Sequence, residues 1–171
     1  DEIPVLQITS SMDIGEHPGC NRGNLYILSN ADSVRMYKND RFIKEYRPEM
    51  SPYKHLKHGP ILIDDFIGDA LEKNERFRPK HAKEMADAMN IVARGSLNYI
   101  PKRLYPTALK LALLYHIDFA EVTKLYTKYI GDWGGTATVY RFDAIKNGKV
   151  IKSVTKEPVN GIRLQAEADH T

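Results

Sequence analysis

The fold of this chain turns on Thr136-Ala137-Thr138-Val139-Tyr140-Arg141-Phe142-Asp143-Ala144-Ile145-Lys146-Asn147-Gly148-Lys149-Val150. Thr138, Tyr140, Phe142 and Ala144 alternate with Val139, Arg141, Asp143 and Ile145, the two-residue period of a strand with unlike faces. Asn147-Gly148 is a strong hairpin signal, because both residues tolerate the positive φ that a tight turn between right-twisted strands demands. Residues 149–154 then return as the partner strand. After Pro158-Val159-Asn160-Gly161, Ile162, Leu164 and Ala166 alternate with Arg163, Gln165 and Glu167, and predict a further strand.

The same grammar opens the chain. Val5-Leu6-Gln7-Ile8-Thr9 and Gly23-Asn24-Leu25-Tyr26-Ile27-Leu28-Ser29-Asn30 are β-prone runs bounded by turn formers. Ser33-Val34-Arg35-Met36-Tyr37-Lys38 passes through Asn39-Asp40 into Arg41-Phe42-Ile43-Lys44-Glu45-Tyr46, a second expected two-residue hairpin.

Between the strand blocks the period changes to that of helices. Ile63, Phe66, Ile67, Ala70 and Leu71 share one helical face, with Asp64-Asp65 placed to suit the positive end of the helix dipole. Ala82, Met85, Ala86, Met89, Val92 and Ala93 predict a second helix ending at Gly95. Leu104, Ala108, Leu111, Ala112 and Tyr115 predict a third, with Pro106 in its first turn. A fourth begins at Asp118, where Asp118 and Glu121 have capping-box spacing and Ile117 and Val122 that of a hydrophobic staple. There is no strand–helix–strand alternation of the kind that builds a parallel sheet. The expected fold class is therefore α+β: an immunoglobulin-like antiparallel β-sandwich formed by residues 1–50 and 133–171, interrupted by a four-helix insertion over 51–132 that caps it as a self-contained bundle.

Composition narrows the function classes. Hydrophobic residues make up 42% and charged residues 27% of the 171, as in ordinary globular domains. The formal net charge of +3 is spread thinly, without the basic stripe that neutralises a run of phosphates, so no nucleic-acid partner is expected. No apolar run is long enough to span a bilayer, so no membrane partner is expected either. Cys20 is the only cysteine, which rules out an intramolecular disulfide and favours a cytoplasmic over a secreted setting. The chain opens with Asp1-Glu2-Ile3-Pro4 and no initiator Met, and the expectation is that it was excised from a longer polypeptide.

The strand blocks resemble a known family. Asn30-Ala31-Asp32-Ser33-Val34-Arg35-Met36-Tyr37-Lys38-Asn39-Asp40 is similar to the segment of glycoside hydrolase family 2 in which a strand, an Asn, an acidic residue and a Val precede an Asn-Gly hairpin. Asp40 stands here where the family usually has Gly, a change that the left-handed region allows. Tyr140-Arg141-Phe142-Asp143-Ala144-Ile145-Lys146-Asn147-Gly148-Lys149 resembles that domain's next hairpin, and Ile162-Arg163-Leu164-Gln165-Ala166-Glu167-Ala168-Asp169 its closing strand. The resemblance covers about half the chain. It implies the immunoglobulin-like domain that follows the catalytic barrel in β-galactosidases and related enzymes, with Ser10-Ser11-Met12-Asp13-Ile14-Gly15-Glu16-His17-Pro18 as the approach from the barrel. Most versions of that domain lack the helical stretch. The implied role is a non-catalytic accessory domain whose parent hydrolyses β-glycosidic bonds, β-galactosides in particular, and whose partners are the parent's other domains, above all its barrel. The alternative is a stand-alone carbohydrate- or protein-binding module that recognises its partner through the helices.

Candidate chemistry is sparse. Retaining glycosidases need two carboxylates about 5 Å apart, one with a raised pKa. Glu121, Glu157 and Glu167 instead sit at a helix start, a turn and a strand, so no catalytic residue, cofactor or metal is expected in this chain. His17, Cys20, His55 and His58 carry zinc-ligand atoms but lack paired spacing. Trp133, in Gly131-Asp132-Trp133-Gly134-Gly135, either packs where the helices meet the strands or contacts a sugar ring or a neighbouring domain. Tyr126 and Tyr129 of the fourth helix are expected in the core.

Overall fold

The computed structural model describes residues 2–13, 22–95, 102–131 and 138–158, apart from the Leu111 side chain. It is a mixed α+β structure with two antiparallel sheets and four α-helices among the described residues. The first sheet contains β1 (Leu6–Ile8), β2 (Tyr26–Ser29) and β5 (Ile61–Leu62), in the order β1-β2-β5. The second contains β3 (Ser33–Lys38), β4 (Arg41–Tyr46), β6 (Tyr140–Lys146) and β7 (Lys149–Lys156), in the order β4-β3-β6-β7. The helices are α1 (Ala70–Glu75), α2 (Pro79–Arg94), α3 (Tyr105–Tyr115) and α4 (Phe119–Tyr126).

The two strand blocks join at the β3–β6 pair, where Ser33 lies opposite Ile145 and Lys38 opposite Tyr140. Each end of that pair is locked by a turn residue of the other block. Asn39 Oδ1 accepts from the Val139 N–H, and the Asn39 N–H returns to the Val139 carbonyl, both at 2.8 Å. At the far end Asp32 Oδ2 accepts from the Asn147 N–H at 2.8 Å. Both expected hairpins form, with positive φ at Asn39 and Asp40 and at Asn147 and Gly148, the geometry that two-residue turns require. Asn30 fixes the first sheet's edge, its side chain accepting from the Val5 N–H at 2.8 Å and donating to the Ile3 carbonyl at 3.0 Å.

The helical reading changes in one place. Ile63, Phe66 and Ile67 are buried as the spacing suggests, but residues 63–69 are not helical and α1 starts only at Ala70. The cause is Asp65. Its Oδ1 accepts from the N–H groups of Ile67 and Gly68 and from Asn90 Nδ2, each at 2.9 Å, while Asn90 Oδ1 accepts from the Phe66 N–H at 2.9 Å. A short acidic side chain that claims the next backbone donors favours a turn over a helix. Pro60 and the β-branched Ile61 and Ile63 then place β5 against β2, inside the stretch 51–132 read from sequence as helical.

Helices α2 and α4 follow the sequence closely. In α2, Ala82, Met85, Ala86, Met89, Val92 and Ala93 are all buried, and the helix closes at Gly95. Asp118 caps α4, its Oδ1 accepting from the Glu121 N–H at 2.7 Å. Tyr126 and Tyr129 are buried. Buried side chains of both sheets and of the helices form one continuous apolar cluster, from Ile27 and Phe142 to Met85, Leu125 and Ile130. The helices therefore share a core with the strands instead of closing on themselves. The expected closing strand at 162–166 lies outside the described residues.

Two glycines separate backbone strain from steric conflict. Gly148 has φ +73° and open space where a Cβ would stand, whereas Gly68, at φ +61°, would place a Cβ 3.3 Å from the Cα and carbonyl oxygen of Ile43. Gly148→Ala is expected to cost about 1 kcal/mol, the left-handed penalty alone, and Gly68→Ala about 2 kcal/mol or more because backbone must also move. Thermal melts of the two variants check this order.

Candidate functional site

Among the described residues the sequence-derived chemical candidates do not converge. Glu121 and Glu157 are exposed on separate elements, and Glu167 lies outside the described residues. His55 is exposed in the loop between β4 and β5, with its ring 6.4 Å from that of Tyr53, and His58 is half-buried nearby. His17, Cys20 and Trp133 lie outside the described residues. Among the described residues, no three His, Cys, Asp or Glu side chains gather as a metal site would require. No described helix is long and apolar enough to cross a membrane.

The helices bring together a different feature, an apolar groove of about 210 Å³ between α2, α3 and α4. Its floor is Met89 and Val92 of α2 with Leu104, Ile117 and Tyr126, all buried. Its walls include Ala108 and Ala112 of α3 and Phe119 and Val122 of α4. Ala108 and Ala112, which the sequence places on a core face, are exposed because α3 stands off from α4 and leaves the groove open. Among the described residues the charged lining residue is Asp118, already engaged in capping α4. Its predominantly apolar walls suit the groove to the binding of an apolar group.

Both walls are pinned from behind. Lys110 of α3 reaches both carboxylate oxygens of Glu84 on α2, at 2.7 and 2.9 Å, and the Tyr115 ring lies against His81. These contacts hold one edge of α3 and leave its outer side open. At the far end of α4, the turn Thr127–Gly131 is tied to α1, where Lys128 and Tyr129 both donate to Glu75 Oε1. These two donors hold the Glu75 carboxyl below its ordinary 4.5, and burial pushes the Tyr129 hydroxyl up. The signal that periodicity passed over is the apolar run Leu111-Ala112-Leu113-Leu114-Tyr115, which has more apolar residues than one buried stripe can use.

Comparison with models of known protein families, with curated proteins and with solved structures gives no match.

The Glu75 cluster makes a pH-dependent contribution. Because the folded carboxyl titrates below its unfolded value, the stabilisation is complete above the ordinary value of 4.5 and is lost as pH falls through the lowered one. Lys128→Met is expected to cost on the order of 0.5 kcal/mol at neutral pH, as befits a half-exposed cation. Its melting curve should converge on that of the wild type once the pH has fallen through the lowered Glu75 titration. Denaturation at a series of pH values measures both.

Proposed function

We propose that this chain is a non-catalytic accessory domain of a larger family 2 glycoside hydrolase, an immunoglobulin-like sandwich with a helical insertion between its fifth and sixth strands. The observation that carries this reading is the strand order. In the immunoglobulin plan, strands A, B and E share one sheet while C, F and G share the other, with C′ added beside C in larger versions. Lettered along the chain as A, B, C, C′, E, F and G, the seven strands give A-B-E and C′-C-F-G, the same partition as β1-β2-β5 and β4-β3-β6-β7. The hairpins that carry the family resemblance then fall on C–C′ and F–G. Their polar residues Asn30, Asp32 and Asn39 each accept from a backbone N–H at a strand end, and Asn147 supplies the positive φ of the second turn, which gives a physical reason for that residue pattern.

On this reading the parent's catalytic glutamates lie elsewhere, on its barrel, and the parent cleaves β-galactosides or related β-glycosides. The domain's task is architectural: a rigid block that packs against the barrel, with Trp133 as a candidate contact to a neighbouring domain or a sugar. A second reading, a module that recognises a protein through its helices, is favoured by the open apolar face of α3.

The native reading frame around Asp1 and Thr171 tests the first reading. The expected finding is an upstream barrel with two suitably spaced glutamates, in an enzyme that hydrolyses aryl β-galactosides while the 171-residue chain alone does not. A native polypeptide coextensive with the chain, or hydrolysis by the chain itself, would overturn it.

A further inference from the structure

The outer side of α3 carries a second apolar surface beside the groove. Tyr105, Leu109 and Leu113 recur every fourth residue and form one stripe, with 57, 60 and 64% of their surfaces exposed. Phe119, at the start of α4, is 67% exposed and continues the surface across the groove. A helix that is apolar on its outer as well as its inner side has the composition of a buried helix. It cannot turn the stripe inward, because Lys110 and Tyr115 fix its opposite edge to α2.

The charges at the two ends of the stripe are opposite. Lys102 and Arg103, both exposed, precede α3, while Asp118 and Glu121, both exposed, follow it. A stripe that is cationic at one end and anionic at the other complements a copy of itself in antiparallel register. Centred on Leu109, such a pairing sets Tyr105 of each copy near Leu113 of the other and brings Lys102 and Arg103 toward the partner's Asp118 and Glu121. This is the self-complementarity that a two-fold interface demands. Four large side chains exposed to this extent offer roughly 500 Å² per copy, taking ~200 Å² for a fully exposed large side chain. With the groove rim added, the total reaches the lower end of the range for specific dimers, about 1,200 Å².

We propose that the outer face of α3 is a self-association surface that pairs antiparallel with α3 of a second copy. The pairing names the partner for the helix-recognition reading and stands independently of the hydrolase reading: a monomeric chain would remove it without bearing on the parent polypeptide. The interface is small, so the expected dimer is weak, with a dissociation constant on the order of micromolar.

Sedimentation velocity of the 171-residue chain across a concentration series is the test. The expected result is a monomer–dimer equilibrium that Leu109→Lys with Leu113→Lys abolishes while far-ultraviolet circular dichroism stays unchanged, since both side chains face solvent. Lys102→Glu with Arg103→Glu should weaken self-association at least tenfold, as should Glu121→Lys alone. Mixing the two charge variants should restore dimers in part as heterodimers, because one ionic end is then native and at the other the introduced glutamates meet the introduced lysine. A chain that stays monomeric, a dimer indifferent to the leucine substitutions, or charge variants that fail to rescue each other would overturn the proposal. A monomer that instead co-sediments with phosphatidylcholine vesicles would assign the face to lipid and overturn it equally.

Discussion

The buried guanidinium of Arg22 is where this structure is tied together. It donates to the carbonyl of Met12, at the end of the N-terminal strand segment, and at 2.9 Å to the carbonyl of Ile130, in the turn that ends the helical stretch. Its charge lies 5.6 Å from the centre of the Phe66 ring and 5.2 Å from that of Tyr140, and the backbone N–H of Arg22 donates to the carbonyl of Ala93 in the last turn of α2. One residue thus joins both strand blocks, the loop after β5, the end of α2 and the end of the helical stretch. The Ile130 carbonyl, at the end of a helical turn, carries partial negative charge, which suits a buried cation. Burying such a charge is costly unless its surroundings supply hydrogen bonds and favourable dipoles, so the geometry around it tolerates little change.

A second polar cluster works beside it. Asp65 and Asn90 exchange hydrogen bonds between the loop after β5 and α2, and Tyr46 of β4 brackets Asp65, donating to its carbonyl at 3.4 Å and accepting from its N–H at 3.2 Å. Burial, then the charges of Asp64 and Asp65, push the Tyr46 hydroxyl well above its ordinary range, which keeps it a neutral donor. Through these contacts α2 becomes part of the strand core, and α3 and α4, packed on α2, inherit a fixed position. A rigid platform is what an interaction face needs, because its exposed side chains then lose little freedom on binding.

Much of this was legible in the sequence because period-2 and period-3.6 patterns report burial directly. The strands from Ser33 to Tyr46 and from Tyr140 to Lys146, both two-residue turns, the apolar residues on the buried face of α2 and the Asp118 cap follow from local rules. What escaped is non-local. Nothing within a few residues of Asp65 says that Asn90 will share its oxygen, so 63–69 read as a helix, and β5 is too short to carry a period. The role of Arg22 depends on partners 10 and 108 residues away. The open face of α3 escaped for the opposite reason: periodicity assigns apolar positions to a core but does not say how many of them that core can cover.

If Arg22 joins strands and helices into one cooperative unit, native-state hydrogen exchange on Arg22→Met gives the most direct reading. Loss of its donated bonds leaves buried carbonyls to be satisfied otherwise, at a cost of roughly 2–4 kcal/mol. The account predicts that amides of the β3–β6 pair and of α2 lose protection together and by similar amounts. Helix amides that exchange faster while the β3–β6 amides keep their protection would contradict it, and would make the helices a separate folding unit resting on an independent pair of sheets.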